Sequence, residues 1–346
     1  MSQKQIALIT GATGFIGSHL AQRLLKEGHS VRVLCRQESQ GKLLSDIATK
    51  AQIALGNLKD QNSLEQAMQG VTHVYHCAGQ VLDWGSDQEF NATNIQGTAW
   101  LLESAARAQV KRFVHLSTVA VFGVPSPAKF DDETPYGSSQ DPYSRTKIEG
   151  EKVALKAHRE KGVPVTVLRP TVVYGARSTW LEEPLRMIQK GKMFLLDRGN
   201  GTCHPCYIEN LIDAMILVAE HPAAVGQAYL IGDDDPIPFS RYFQGVASLA
   251  GQGPIKRSIP LSVARAMATT FEAAARLTRS ASRPLLTHTA IDMVCTRSQM
   301  SMDKIRRELG YRPRYRFDQA IQELRSVYRT SDLNLNRDQV PNANLI

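Results

Sequence analysis

The stretch Thr10-Gly-Ala-Thr-Gly-Phe-Ile-Gly17 decides the fold, because its glycines at positions 11, 14 and 17 directly follow a short apolar segment, Ile6 to Thr10. The next residues, Ser18 to Glu27, place leucines on one face and predict a helix. Between a strand and a helix, the first glycine permits a tight turn, the second admits a pyrophosphate, and the third lets helix and strand pack closely. The helix N-terminus adds amide donors and positive potential. The segment therefore predicts a dinucleotide-binding site.

Strand and helix patterns alternate beyond this turn. Gly28 ends the first helix, and Val31 to Leu34 predicts a second strand, which completes a βαβ unit. Helical patterns separate four further strand patterns, near Gln52 to Leu55, Val71 to Cys77, Arg112 to Ser117 and Pro164 to Arg169. This alternation predicts the α/β class, with a doubly wound parallel sheet covered by helices on both faces, the Rossmann fold.

The alternation becomes less regular after Tyr174. We expect residues 1–175 to form mainly the dinucleotide-binding Rossmann domain. Residues 176–330 are expected to form mainly a smaller C-terminal substrate-binding lobe that returns some strands and helices to the first domain. The polar residues 331–346 predict a flexible tail.

The composition narrows the class of protein. With 42% hydrophobic and 21% charged residues, the chain of 346 residues is neither mostly disordered nor collagen-like. No apolar stretch approaches the roughly 18 to 20 residues that cross a bilayer, and no signal-peptide core follows Met1. The net charge of +8 comes from scattered basic residues, which favours an anionic cofactor over nucleic acid. These features predict a cytoplasmic protein without a nucleic-acid partner.

The five cysteines are an odd number and lie far apart, which predicts reduced thiols. Only Cys203 and Cys206 are close together. A single Cys-x-x-Cys without a second pair is more often two ordinary thiols than half of a redox or zinc site. We therefore expect no metal.

The end of the second strand discriminates between nicotinamide cofactors, because the 2′ position of the adenosine ribose lies there. A carboxylate at this place favours NAD. Here the strand ends with Val33-Leu34-Cys35-Arg36, and an arginine can pair with a 2′-phosphate. NADP(H) is the preferred cofactor, and NAD(H) is the alternative if Arg36 is only a solvated surface residue.

The segment Tyr143-Ser-Arg-Thr-Lys147 places a phenol and an ammonium four residues apart, on one face of a predicted helix. A phenol with a pKa near ~10 is a poor acid-base catalyst at neutral pH, but a nearby ammonium stabilises the phenolate. The pair follows the strand segment His115 to Gly123, whose Ser117 and Thr118 hydroxyls are expected at the carboxyl end of the sheet, where such folds bind ligands. Tyr143 and Lys147 are therefore candidate catalytic residues.

These segments together resemble the extended short-chain dehydrogenase/reductases, and the likeness covers most of the chain. The matching motifs are Thr10 to Gly17, Gly56-Asn57-Leu58, His76-Cys77-Ala78-Gly79, Asn94 to Thr98, Ser117 to Gly123, Tyr143 to Lys147 and Leu168 to Gly175. Two positions depart from the family pattern: Asn57 stands where an aspartate is frequent, and Phe122 where a tyrosine is usual.

The resemblance implies a role for each motif. Tyr143 exchanges a proton with the substrate, Lys147 lowers the pKa of Tyr143 and binds the nicotinamide ribose, and a strand hydroxyl orients the substrate oxygen. Alignment on Gly123 assigns that hydroxyl to Thr118, with Ser117 as the second candidate. The cofactor-binding residues are then Gly11, Thr13, Gly14, Phe15, Ile16, Gly17, Arg36, Asn57, Leu58, Ala78, Gly79, Asn94, Tyr143, Lys147, Pro170 and Val173.

The same resemblance implies an oxidoreductase that interconverts a secondary alcohol and a ketone on a hydrophobic substrate such as a steroid. The segment Tyr207 to Asn210 resembles the 3β-hydroxysteroid dehydrogenase branch of the family, whereas Arg36 and Gln80 to Trp84 resemble the dihydroflavonol-reductase-like branch. A nucleotide-sugar epimerase or dehydratase is the alternative, although Cys203 falls near the place of an arginine that many such enzymes use. A non-catalytic dinucleotide sensor is a third hypothesis, against which the Tyr143 and Lys147 pair weighs.

The C-terminal half adds two expectations about surfaces. Residues 256–283 carry six basic residues against Glu272, and five apolar residues recur there at helical spacing: Val263, Met267, Phe271, Ala274 and Leu277. The pattern predicts an amphipathic basic helix that covers the substrate pocket or, less favoured, contacts an anionic membrane. The side chains His115, Trp84, Tyr174 and Tyr207 are candidates for lining the pocket. The resemblance also implies a homodimer through helices beside Asn94 to Ala108 and Tyr143 to Glu160.

Overall fold

The computed structural model of the chain describes residues 5–81, 86–138, 141–278 and 284–330. The strands of its central sheet are β1 (Ile6–Thr10), β2 (Ser30–Cys35), β3 (Gln52–Leu55), β4 (Val71–His76), β5 (Arg112–Leu116), β6 (Val165–Pro170) and β7 (Ala228–Ile231). All neighbours pair in parallel, in the order β7-β6-β5-β4-β1-β2-β3. The strand order reverses between β1 and β4, which places a crevice at their carboxyl ends.

Helices connect these strands and build the C-terminal lobe. They are α1 (Phe15–Lys26), α2 (Ser45–Lys50), α3 (Gln61–Met68), α4 (Asp87–Phe90), α5 (Thr98–Arg107), α6 (Pro142–Lys161), α7 (Thr179–Gln189), α8 (Ile208–Glu220), α9 (Phe239–Leu249), α10 (Leu261–Leu277), α11 (His288–Cys295), α12 (Asp303–Leu309) and α13 (Phe317–Thr330). A π-helical turn, Asn91–Gly97, precedes α5.

The side chains of β1 show how the two faces of the sheet are covered. Ala7 and Ile9 join the core that contains α1 and α8, whereas Leu8 joins the core that contains α3, α5 and α6. Alternate residues of a strand point to opposite faces, so a strand covered on both sides is apolar throughout. The predicted α/β class and doubly wound parallel sheet are confirmed.

The second half of the chain contributes to the central sheet as well as to the lobe. Strand β7 closes one edge of the sheet beside β6, and α8 packs on α1. No strand was predicted at β7, which has only four residues, although Pro222 and Gly226 separate it from α8. The division at residue 175 stays a prediction, and residues 331–346 lie outside the described residues.

Short two-stranded ladders join the lobe to the rest of the chain and also connect separate segments within the lobe. They join Val172–Tyr174 to Pro205–Tyr207, Leu195–Leu196 to Ser258–Ile259, Thr202–Cys203 to Ile237–Pro238 and Lys129–Phe130 to Gln299–Met300. Such pairs bring distant parts of the sequence together, which explains why periodicity alone did not predict them.

Two predicted helices differ in the structure. Helix α1 begins at Phe15 rather than Ser18, because Gly14 is its N-cap and the turn leads directly into the helix. The basic helix spans only Leu261–Leu277, and its fully buried residues are Ala264 and Ala268, whereas the predicted apolar positions Val263 and Leu277 are exposed. Alanines pack there because they allow α10 to approach α11 closely. No helix among the described residues combines the length and apolar character needed to cross a membrane.

Candidate active site

The three glycines of the turn after β1 differ in the space around them. Gly11 has φ +76°, and a Cβ there would lie 2.8 Å from the Ala78 nitrogen. A Cβ on Gly17 would overlap the Gly11 carbonyl group. Gly14, in contrast, is exposed, and the nearest atom to a Cβ there, the Gly11 carbonyl oxygen, is 3.3 Å away. Gly11 and Gly17 are therefore required for close packing within the turn, while the backbone of Gly14 is open to the outside.

The amides in the first turn of α1 have no side-chain acceptor among the described residues. The turn has no side-chain cap and no acidic residue, so no carboxylate or hydroxyl accepts from its N-terminal amides. Thr13, Phe15 and Ile16 are half-buried around this turn, and their cofactor role stays a prediction. The open approach at Gly14 and the uncapped amides fit the diphosphate of a dinucleotide.

Tyr143 and Thr118 meet at the carboxyl end of the sheet. Tyr143 lies in the first turn of α6, and Thr118 follows β5, where its Oγ1 also accepts from the Ala120 nitrogen at 3.2 Å. Burial raises the pKa of Tyr143, and a side-chain hydrogen bond with Thr118 opposes this effect by lowering it. Thr118, the residue that the family alignment selected, therefore interacts with the predicted catalytic phenol of Tyr143.

Lys147 is buried one helical turn after Tyr143, and its Nζ donates to the Leu116 carbonyl oxygen at 2.5 Å. Burial lowers the pKa of Lys147 to about 8, while the charge of Glu151, one turn further along α6, raises it. The expected lowering of the Tyr143 pKa by Lys147 stays a prediction, because burial and Thr118 are the main influences on that phenol in the structure.

Ser117, the second candidate hydroxyl, is engaged elsewhere. Its Oγ donates to Glu151 Oε2 at 2.6 Å, in a buried cluster where Arg169 Nε donates to Glu151 Oε1 at 3.0 Å and the Tyr136 hydroxyl donates to the same oxygen at 3.0 Å. Glu151 is fully buried and was not predicted. The sequence feature that could have identified Glu151 is its position four residues after Lys147, on the same face of the helix.

His76 links the glycine-rich turn to α5. Its Nδ1 lies 2.8 Å from Thr10 Oγ1 and its Nε2 lies 2.9 Å from Thr98 Oγ1. Because the Thr98 hydroxyl donates to the Asn94 carbonyl oxygen at 2.8 Å, His76 Nε2 must carry the proton that Thr98 accepts, and Nδ1 accepts from Thr10. Burial lowers the pKa of His76 to about 3, so the ring is neutral.

Asn94, in the π-helical turn, holds the loop after β4. Its Oδ1 accepts from the Gln80 nitrogen at 2.8 Å, and its Nδ2 donates to the Gln80 carbonyl oxygen at 3.1 Å and to Thr146 Oγ1 at 3.0 Å. Gly79 packs against this amide, since a Cβ there would lie 3.2 Å from Asn94 Oδ1. Asn94 therefore ties the loop that carries Ala78 and Gly79 to α6.

The other predicted cofactor residues lie at the carboxyl side of the sheet. Arg36 follows β2, and its exposed guanidinium is 3.2 Å from Ser39 Oγ and 3.3 Å from Glu38 Oε1. Asn57 uses its Oδ1 to accept from the Lys59 nitrogen at 2.7 Å, in the turn after β3. Leu58 is buried beside that turn, and Pro170 and Val173 are buried at the end of β6 and in the short strand after it.

The proposed pocket-lining aromatic residues prove to be core residues in the described part of the chain. Tyr174 is fully buried, packs against Tyr207 at 5.5 Å between ring centroids, and donates to Asp233 Oδ2 at 3.1 Å. His115 is buried on the α5 side of the sheet, 5.4 Å from His76 between ring centroids, and burial lowers its pKa well below the usual range. Their burial favours core packing, and a role in lining the pocket stays a prediction. Trp84 lies outside the described residues.

The two close cysteines are ordinary buried thiols. Cys203 and Cys206 are fully buried in short strands, and burial raises the pKa of both well above the usual range. Among the residues that the structure describes, no group of histidine, cysteine and carboxylate side chains could hold a metal ion.

A sequence model of the NAD dependent epimerase/dehydratase family matches residues 7–232, which include the glycine-rich turn, the Tyr143 and Lys147 pair and all seven strands of the sheet except the first residue of β1. The chain belongs to this family. The resemblance to extended short-chain dehydrogenase/reductases is thereby confirmed.

Relatives whose names describe an activity align with nearly the whole of this chain. A 4-hydroxy-2-methyl-3-oxo-4-farnesyl-3,4-dihydroquinoline-1-oxide ketoreductase of Stigmatella aurantiaca is 29% identical over 92% of this chain and 95% of its own length. A 3 beta-hydroxysteroid dehydrogenase/Delta 5-->4-isomerase of Mycobacterium tuberculosis is 29% identical over 93% of this chain and 90% of its own length. The family member is therefore an NAD(P)-dependent oxidoreductase.

Solved structures confirm the fold. The crystal structure of gox2253 has a TM-score of 0.76 and 28% identity, and covers 94% of this chain and 98% of its own. A UDP-glucose 4-epimerase of Thermotoga maritima has a TM-score of 0.76, at 20% identity, over 94% of this chain and 99% of its own. The second likeness shows that oxidoreductases and epimerases share this architecture, and it carries no functional assignment.

Proposed function

We propose that the chain is an NADP(H)-preferring dehydrogenase/reductase that interconverts a secondary alcohol and a ketone on a hydrophobic, steroid-like substrate. The observation that carries this proposal is that Tyr143 interacts with Thr118 at the carboxyl end of the sheet, with buried Lys147 one helical turn away on α6. Two relatives support the substrate class, since their names describe a ketoreductase of a farnesylated ring compound and a hydroxysteroid dehydrogenase.

Each of the three side chains has a separate task in the proposed reaction. During ketone reduction, the Tyr143 hydroxyl donates its proton to the substrate oxygen, and Thr118 holds that oxygen in place. The ammonium of Lys147 stabilises the phenolate that remains. The bound nicotinamide supplies the hydride. In the opposite direction, the Tyr143 phenolate accepts the proton of the alcohol.

Substitution of Tyr143 by phenylalanine tests the catalytic assignment. Tyr143→Phe should lower kcat by about 100- to 10,000-fold, because the proton donor is lost, while the Kd of the cofactor stays close to the wild-type value. Tyr315→Phe is a matched control, since Tyr315 packs against Tyr207 in the lobe and is not part of the reacting group. Full turnover by Tyr143→Phe would disprove the assignment.

A substrate screen separates this proposal from its alternatives. Steroids and other hydrophobic ketones should oxidise NADPH stoichiometrically, which is followed by the loss of absorbance of the reduced nicotinamide. Conversion of a nucleotide sugar without net consumption of either reduced nicotinamide would instead establish an epimerase or dehydratase. Dinucleotide binding without turnover of any compound would favour the sensor.

Arg36 and Ser39 support the choice of NADP(H). The guanidinium and the hydroxyl lie 3.2 Å apart just after β2, where the 2′-phosphate would lie, although Glu38 also contacts the guanidinium at 3.3 Å. Arg36→Ala should raise KM for NADPH by about 10- to 100-fold and change KM for NADH little, because a charge-assisted hydrogen bond is lost only with NADPH. An unchanged ratio of the two KM values would favour NAD(H).

An anionic membrane is the partner that we propose for the face around α10. Val263, Leu277 and Leu285 are 48%, 85% and 54% exposed there, which is unusual for large apolar side chains. Exposed cations precede the start of α10 or pair with the segment that does: Lys190, Lys192, Lys256 and Arg257, of which Arg257 donates to the Gly191 carbonyl oxygen at 3.1 Å. Apolar side chains flanked by cations match the chemistry of an acidic lipid surface.

Vesicle flotation tests the membrane proposal. The protein should float with vesicles that contain phosphatidylglycerol and remain unbound with phosphatidylcholine alone, and Leu277→Asp should weaken flotation. Absence of binding to both vesicle types would leave α10 as an ordinary lobe helix. A homodimer also remains a proposal, supported by the family resemblance, and light scattering in solution tests it.

A further inference from the structure

Arg177 is a basic residue beside the glycine-rich turn that no motif identified. Its guanidinium donates to Ser18 Oγ at 2.6 Å and lies 3.5 Å from the Thr13 carbonyl oxygen. Thr13 belongs to the glycine-rich turn, and Ser18 to the first turn of α1. The guanidinium therefore stands at the N-terminal end of α1, although Arg177 belongs to the distant segment that leads into α7.

The backbone around Arg177 directs the side chain to this place. Its φ is +73°, in the left-handed region that residues other than glycine rarely adopt. The Arg177 nitrogen donates to Glu182 Oε1 at 3.1 Å, and the buried Glu182 also accepts from the Tyr328 hydroxyl. Conformations of this kind persist where the surroundings hold them, and they concentrate at functional sites.

The charge of Arg177 is not compensated by the residues around it. The side chain is half-buried, burial lowers its pKa, and it forms no ion pair with any residue that the structure describes. The first turn of α1 contributes positive potential and contains no acidic residue. A guanidinium beside a positive helix end is electrostatically unfavourable alone, so the arrangement is suited to an anion that lies between them.

We propose that Arg177 binds the diphosphate of the nicotinamide dinucleotide, together with the backbone at Gly14 and the N-terminus of α1. The inference rests on the proposed function, because it requires a dinucleotide at the glycine-rich turn. The planar guanidinium can donate to two phosphate oxygens at once, which a lysine cannot do. The bound diphosphate would then join α1 to the segment before α7.

Binding measurements with cofactor fragments test this role without catalysis. Calorimetry compares ADP-ribose with AMP, and 2′-phospho-ADP-ribose with 2′,5′-ADP; in each pair only the first compound contains a diphosphate. Arg177→Met should raise the Kd of the diphosphate compound by about 10- to 100-fold and the Kd of the monophosphate compound by less than about threefold. Arg186→Met is the matched control, because Arg186 is a half-buried arginine on α7 that contacts the Glu182 carbonyl oxygen.

The outcomes separate this inference from the proposed function. An equal loss for both members of a pair, or a fall in the Tm of the free protein with unchanged affinities, would overturn the inference and make Arg177 a structural residue. In that case wild-type binding of the diphosphate compounds would leave the proposed function intact. If the wild type binds none of the four compounds, the dinucleotide site itself is wrong.

Discussion

Two buried carboxylates, one beside the reacting groups and one in the lobe, are stabilised in different ways. Glu151 on α6 accepts from the guanidinium of Arg169 through both Nε and a terminal nitrogen, and from Ser117 and Tyr136. The Arg169 guanidinium is itself buried and also donates to the Asp132 carbonyl oxygen at 2.9 Å. In this cluster, a buried negative charge is balanced by a buried positive charge.

Asp233, which follows β7, is surrounded by neutral donors instead. Its Oδ1 accepts from the Tyr207 nitrogen at 2.9 Å and from Asn210 Nδ2 at 2.6 Å, and its Oδ2 accepts from the Tyr174 hydroxyl at 3.1 Å. It forms no ion pair within the described part of the chain. Burial raises the pKa of Asp233 to about 7, against the lowering by these hydrogen bonds.

The comparison teaches that hydrogen bonds alone do not offset the burial of a charge. Three donors leave Asp233 close to half-protonated at neutral pH, since its pKa is about 7. A carboxylate paired with a guanidinium keeps its charge more readily, because the ionised form gains Coulomb energy. The lobe should therefore respond to pH near neutrality through Asp233.

The largest expected effect comes from breaking the charged pair. Glu151→Gln leaves Arg169 buried without its counter-charge and should lower the free energy of unfolding by about 3 to 5 kcal/mol. Urea denaturation at pH 7 measures this loss. Glu149→Gln is the control on the same helix, because Glu149 forms an exposed ion pair with Lys152 and should contribute less than about 1 kcal/mol. Similar losses in both variants would contradict the comparison.

The next effect is a change in the pH dependence of stability caused by Asp233. A carboxyl whose pKa is higher in the folded than in the unfolded state binds more protons when folded, so its stabilisation is lost as pH rises from about 4 to about 7. The asparagine of Asp233→Asn cannot titrate. The free energy of unfolding of this variant should therefore fall by roughly 2 to 4 kcal/mol less than that of the wild type between about pH 4 and about pH 7.

Urea denaturation of the wild type and Asp233→Asn at several pH values between 4 and about 8 checks this expectation. Asp318→Asn provides a control, since Asp318 is an exposed partner of Arg241. Parallel pH profiles for the wild type and Asp233→Asn would show that neutral donors do compensate the buried charge.

The smallest effect on stability, but a clear effect on activity, is expected at Lys147. Its pKa of about 8 means that the ammonium loses its proton as pH rises through that value, so kcat for ketone reduction should fall there. Lys147→Arg keeps a positive charge and should move this fall to a pH at least about two units higher, even if kcat is lower. Lys152→Arg, on the exposed face of α6, should leave the profile of kcat against pH unchanged. A wild-type profile that is flat between pH 7 and about 10 would contradict the role of Lys147.

Residues close in sequence were predicted well, because local geometry determines them. The three glycines of the turn and the four-residue spacing of Tyr143 and Lys147 follow from the geometry of a strand-turn-helix unit and of a single helix. The choice between Ser117 and Thr118 was open in the sequence. Neighbours in an extended segment point to opposite sides, and only the packing of α6 shows that Ser117 meets Glu151 while Thr118 meets Tyr143.

Other features required contacts between distant segments. The buried face of α10 only partly matches the predicted one, because Met267 and Phe271 are half-buried against the core while Val263 and Leu277 are exposed. Ala264 and Ala268 are the buried residues of the helix, which contacts α11. The aromatic pair of Tyr174 and Tyr207 forms core contacts through a ladder between two short strands. Periodicity identifies an apolar face, but the neighbour that covers it comes from elsewhere in the chain.

The sequence by itself determined the parallel sheet, because strand and helix patterns alternate along the chain. It also determined the dinucleotide turn and the phenol-ammonium pair, since each consists of residues within one or two helical turns of each other. Only the tertiary structure decided which hydroxyl joins Tyr143, that Arg169 balances Glu151, and that Arg177 reaches the start of α1 from a segment 159 residues beyond Ser18. The physical reason is that spacing along a strand or helix determines the side from which each side chain projects. The partner of a buried charge depends instead on how separate elements pack.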